Sequence, residues 1–91
     1  MAYNDIISKL KSDGAIFRCQ GILECLTTRE NSGEVPDLLQ KLKSDSVIIL
    51  GRKVGSFARA ALDVLGIERY EGAEEEITKL ITDMRKMLPS A

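Results

Sequence analysis

Ninety-one residues give room for one domain with a modest core and too little to enclose a large internal cavity, because a chain this short buries only somewhat more than the roughly 60% of its surface that a 60-residue domain manages. Thirteen Lys and Arg against fourteen Asp and Glu leave a formal net charge of -1, so no global field recruits nucleic acid or an anionic membrane. The chain has no histidine, the commonest general base and metal ligand, and its 44% apolar and 30% charged residues mark it as globular rather than disordered.

The opening residues, MAYNDIISKLK, are amphipathic and interrupted by charge, unlike a signal peptide, and no apolar run approaches the roughly 18 residues of a membrane span. Tyr3, Ile6, Ile7 and Leu10 recur at i, i+3, i+4 and i+7, which predicts a first helix over residues 3–11. Ser12-Asp13-Gly14 stops it, since Ser and Asp side chains favour caps over helix interiors. From Ala15 a second stripe of Ile16, Cys19, Ile22, Leu23 and Leu26 follows, with Gly21 as its weak point unless a neighbouring helix needs the space. Cys19 and Cys25 lie about 240° apart on such a helix, so they neither pair nor share a metal and are expected to be buried thiols in a reducing, cytoplasmic setting. Thr27 to Glu34 has no apolar residue and reads as a loop.

Pro36 suits the first turn of a third helix, whose stripe is Val35, Leu38, Leu39 and Leu42 and whose end repeats the Ser-Asp signal at Ser44-Asp45. The next apolar series, Val47, Leu50, Val54, Phe57, Ala61, Val64 and Leu65, predicts the longest and most buried helix over residues 46–65, with Gly51 and Gly55 on one side and Gly66 as its stop. After the connection at residues 68–73, Ile77, Leu80, Ile81, Met84, Met87 and Leu88 mark a last helix, acidic at its start and basic near its end, as the helix dipole favours.

One stretch admits a second reading. Ser46 to Leu50 is a short apolar run that periodicity cannot separate from a buried strand, and with GRKVG and a helix behind it the outline is that of a phosphate-binding turn using the Gly51–Gly55 region. The chain lacks GxGxxG and GxxxxGK[ST], and the other possible strands, Ala15 to Phe17 and Ile67 to Tyr70, are short, so the all-helical reading is preferred.

The segment VPDLLQKLKSDSVIILGRKVGSFARAALDVLGI resembles a HEAT-type helical repeat, with Asp45 as the turn aspartate, Arg52 and Val54 at the basic and Val positions, and Ala60-Ala61-Leu62 as the Ala-Ala-Leu segment. IISKLKSD and EITKLITD echo its first half on either side, and two to four extra residues around Ile48 to Gly51 depart from the pattern. The resemblance implies a stacked helical scaffold that binds protein partners and performs no catalysis.

The expected fold is therefore one all-α domain, residues 1–91, of about five helices arranged as antiparallel αα-hairpins at 3–28 and 35–66 with a C-terminal helix at 73–88. The expected function is that of a non-enzymatic protein-interaction module, without cofactor or metal; a small helical immunity or inhibitor protein and a nucleic-acid or nucleotide-binding module are the alternatives. Asp13 and Asp45 are read as caps rather than as paired catalytic carboxylates, and Glu74 to Glu76 as a dipole effect rather than a cation site. Candidate interaction surfaces are the basic cluster Arg52, Lys53 and Arg59, and the C-terminal stripe Ile77, Leu80, Ile81, Met84, Met87 and Leu88. If that stripe is left open at the end of a stack it would dock a partner, most simply a second copy of the chain; the other outcome is that the helix folds back and closes the bundle.

Overall fold

The computed structural model describes residues 2–49 and 51–87. Five helices, α1 (Ala2–Leu10), α2 (Ala15–Thr28), α3 (Val35–Leu42), α4 (Val54–Val64) and α5 (Glu74–Met87), enclose one core, and a two-stranded ribbon, β1 (Ile48–Ile49) and β2 (Arg52–Lys53), stands between α3 and α4. Helix α1 packs on α2, α3 packs on α4, and the two hairpins meet through α2 against α4 and α1 against α3. The fold is helical, as the apolar periodicity requires. No helix among the described residues is long and apolar enough to cross a membrane.

Local chemistry accounts for the boundaries. Helix α2 ends at Thr28, two residues into the stretch read as a loop: the hydroxyls of Thr27 and Thr28 turn back onto the carbonyls of Leu23 and Glu24, at 3.0 and 2.8 Å, and Arg29 then ends it in the left-handed conformation (φ 58°). At Gly21 an added Cβ would sit 3.0 Å from the backbone nitrogen of Leu10, so the glycine is what lets α1 lie close. The Tyr3 hydroxyl accepts the Glu34 N–H at 2.9 Å and ties the start of α1 to the start of α3.

The largest correction falls on residues 46–65, expected as one helix. Helix α4 begins only at Val54, and Ile48 and Ile49 pair antiparallel with Lys53 and Arg52. The β-branched run Val47-Ile48-Ile49 favours extended backbone, and Gly51, at φ 74°, completes a two-residue connection. Asp45 enforces the break: its carboxylate accepts the Val47 N–H at 3.0 Å and its carbonyl accepts the Gly55 N–H at 2.9 Å. Gly51 and Gly55 thus do not share a helix face, Arg52 and Lys53 stand before the helix rather than on it, and the possible strands at Ala15–Phe17 and Ile67–Tyr70 do not form. Two further positions leave their expected stripes, since Ile16 is 52% and Val47 44% exposed.

The C-terminal stripe is corrected as well. Helix α5 folds back across α4 and α2, burying Leu80 and Met84 at 1% and 0% exposure with Ile77 and Ile81 half-buried beside them. It therefore closes the bundle along these positions, and a docking stripe that includes Leu80 and Met84 is not available. Met87 is the last residue of α5; its side chain and Leu88 lie outside the described residues.

The core is apolar throughout, with Phe57, Ile6, Ile22, Leu39 and Leu62 among its largest members and no buried charged residue among those described. Cys19 and Cys25 are buried and unpaired. Burial pushes the Cys19 thiol up to about 11, Arg18 opposing and Asp45 adding to the rise, and pushes Cys25 up to about 12, with Glu30 and Glu24 adding to it. An aromatic disulfide reagent at pH 8 is expected to titrate neither thiol in the native protein and both in denaturant. Because both folded-state values lie above the ordinary thiol value, the neutral thiols favour the fold at neutral pH. That contribution is lost as the pH climbs from the ordinary thiol range toward 12, so the urea midpoint should fall on that alkaline limb. Replacing both cysteines with alanine should flatten it.

Gly55 supplies a second test of the packing. A Cβ there would lie 2.3 Å from the Lys43 carbonyl oxygen, a backbone atom that cannot swing aside. Gly55→Ala is expected to destabilise the protein by about 1–3 kcal/mol in urea titration, although Ala is the better helix former.

Candidate functional site

The ribbon has two faces, and they divide the basic cluster that the sequence places together. Directly paired residues of an antiparallel ladder project on one face, and neighbours along a strand project on opposite faces. Ile49 and Arg52 form the inward pair: Ile49 packs against the core, and the Arg52 Nε donates to Asp83 Oδ2 of α5 at 2.9 Å. Ile48 and Lys53 form the outward pair, with Ile48 56% exposed. Arg52 is thus a strut between ribbon and α5, and Lys53 is left on the surface.

Lys53 and Arg59 meet two residues that the sequence reading does not single out. A cavity of about 160 Å³ is lined by Lys43, Ser44, Asp45, Ser46, Lys53, Gly55, Ser56 and Arg59. A second, of about 170 Å³, is lined by Lys43, Arg59, Glu68, Arg69, Tyr70 and Glu71. They share Lys43 and Arg59, so together they make one groove that runs from Tyr70 and Arg69, past Lys43 and Arg59, to Lys53 at the ribbon. Its cations come from the end of α3, from β2, from α4 and from the connection before α5. No spacing rule joins four such segments; the one signal in the sequence is the short Ser44-Asp45-Ser46 connection, which forces the end of α3 beside the start of α4.

Within the groove the charges differ in their freedom. The Lys43 ammonium is bonded to Glu68, which also accepts from the Gln40 amide at 3.1 Å, and these two bonds, Lys43 first, hold the Glu68 carboxyl below its usual range. Tyr70 is fixed by its backbone N–H on Asp63 at 2.8 Å and by its hydroxyl on Glu76 at 2.9 Å; burial, then that carboxylate, raises the phenol. Lys53, Arg59 and Arg69 are exposed, and none has an ion-pair partner among the described residues. The groove therefore offers three free cations, the serine hydroxyls and one rigid aromatic ring.

Arg18 fixes the wall of this groove from behind. Its Nε donates to Asp45 Oδ2 at 2.8 Å, and its Nη1 donates to the carbonyls of Ser12 and Asp13, each at 2.8 Å. The side chains of Arg18 and Asp45 are only 14% and 12% exposed, so the pair is screened less than the surface pairs Lys9–Glu24 and Lys11–Glu34. Four large apolar side chains, Ile16, Phe17, Val47 and Ile48, are exposed, and each lies within three residues of Arg18 or Asp45.

No protein family, curated protein or solved structure matches the chain.

A double-mutant cycle of Arg18→Ala and Asp45→Ala in urea titration is expected to return a coupling of about 1–2 kcal/mol, above the range of exposed pairs, because each single change strands a partly buried charge.

Proposed function

We propose that the protein is a non-enzymatic, cytoplasmic protein-interaction module that receives an acidic segment of a partner in the groove between α3, α4 and the connection to α5. The observation that carries the reading is the convergence of Lys53, Arg59 and Arg69, three exposed cations from three segments without ion-pair partners among the described residues, on one groove. Charge complementarity of this kind selects partners and speeds encounter more than it adds affinity, which suits a docking surface.

The size and mixture of the lining favour peptide carboxylates over other anions. The two parts of the groove, about 170 and 160 Å³, are each the size of one or two side chains, which suits successive side chains of an extended segment. Glu68, Glu71 and Asp45 interrupt the positive wall, which disfavours a continuous polyanion such as nucleic acid and admits separate carboxylates between the cations. The two unpaired cysteines suit a reducing compartment.

A fluorescently labelled ten-residue Glu/Ser peptide is the direct probe. Anisotropy should show weak binding that falls as salt is raised and drops at least tenfold in Lys53→Glu/Arg59→Glu, with the thermal midpoint unchanged. Equal binding by that variant, or preferential binding of a labelled single-stranded oligonucleotide, would count against the reading.

A further inference from the structure

Resting on the groove reading above, we infer that the partner segment is not acidic alone. It carries a bulky apolar side chain at one end of its acidic run, and that side chain sits on the apolar surface around Ile48.

Three observations place this second contact at the end of the groove. Lys53, the last cation of the groove, is the direct cross-strand partner of Ile48, so the two side chains stand on the same outward face of the ribbon. Ser46, which lines the groove, is followed at once by Val47, and Val47 is held there by its N–H on the Asp45 carboxylate and its carbonyl on the Val54 N–H at 2.9 Å. The same Asp45 carboxylate binds Arg18, which brings the start of α2, with Ile16 and Phe17, to the same end of the molecule.

Phe17, Ile16, Val47 and Ile48 are each 44–56% exposed, and they are the large apolar side chains so exposed among the described residues. Ile48, on the same outward face as Lys53, offers an apolar contact bordered by charge, as interaction surfaces do. A segment whose carboxylates meet Arg69, Arg59 and Lys53 in turn is carried by the line of the groove onto Ile48. The cations would set register and attract the segment, and the apolar end would supply the desolvated anchor that ion pairs on an exposed surface do not.

The test extends the acidic peptide used for the groove. Four labelled peptides are compared: the ten-residue Glu/Ser peptide, the same with a terminal Phe, the same with Phe in the middle, and a Phe-containing peptide without acidic residues. The terminal Phe should raise affinity about five- to tenfold, as expected for partial burial of one aromatic side chain, and the central Phe should not. The gain should vanish in Ile48→Ser and shrink in Phe17→Ser, while both variants keep the binding of the purely acidic peptide. Both residues are exposed, so neither change is expected to unfold the protein, and the circular dichroism melting curve checks this.

A gain below twofold, or one that survives both variants, overturns the inference and leaves the groove reading standing. Loss of all acidic-peptide binding in the wild type overturns both. If sedimentation shows a dimer that Ile48→Ser abolishes, the apolar surface belongs to a second copy of the chain and the inference falls by that route.

Discussion

The guanidinium of Arg18 stands where three pieces of chain meet: the end of α1 at Ser12-Asp13, the start of α2, and the turn after α3 at Asp45. Two 2.8 Å bonds to carbonyls use donors that a carboxylate alone would leave idle, and the third ties one helical hairpin to the other. Apolar packing between α2 and α4 supplies the driving force for stacking, but such packing is non-directional. The charge-assisted bonds are directional, and the Arg18–Asp45 pair, at 14% and 12% exposure, is shielded from most of the bulk water. They fix where the hairpins stop sliding, and therefore where the turn at residues 44–47 sits.

From that turn the position of the groove follows. Asp45 uses one oxygen for Arg18, the other for the Val47 N–H, and its carbonyl for the Gly55 N–H. One residue thereby anchors the hairpins, starts the ribbon and seats the first turn of α4. The close seat is possible because Gly55 has no side chain to meet the Lys43 carbonyl. With the ribbon fixed, its alternation sends Arg52 to Asp83 on α5 and Lys53 outward beside Ile48, so the bundle is closed on one face and a cation is offered on the other.

Helix α5 closes one face of the bundle. Leu80 and Met84 enter the core shared with α2 and α4, while Glu74 to Glu76 and Arg85 and Lys86 remain in water at its two ends. On another side of the bundle lies the mixed strip of Tyr70, Arg69, Arg59, Lys43, Lys53 and Ile48, in which cations and an aromatic ring adjoin an aliphatic group.

The helices themselves were legible because burial of one face imposes a 3.6-residue period: the stripes of α1, α3 and α5 and the stop at Gly66 follow from local sequence. The ribbon was not, since Val47, Ile48 and Ile49 satisfy a helical stripe as well as an extended one, and the choice between them was made by Asp45 and Gly51 acting through backbone hydrogen bonds and turn geometry. Half of the candidate groove was visible as Lys53 and Arg59; Lys43 and Arg69 were not, because they reach it from segments that only packing brings together. The sequence by itself determined that the chain folds into helices and, outside residues 46–53, where most of them lie and which face each buries, as these are near-neighbour properties of the chain. Tertiary structure alone decided that Arg52 is a strut and Lys53 a surface group, and that Leu80 and Met84 of α5 enter the core, because ion pairing and burial between distant residues depend on where the hairpins come to rest.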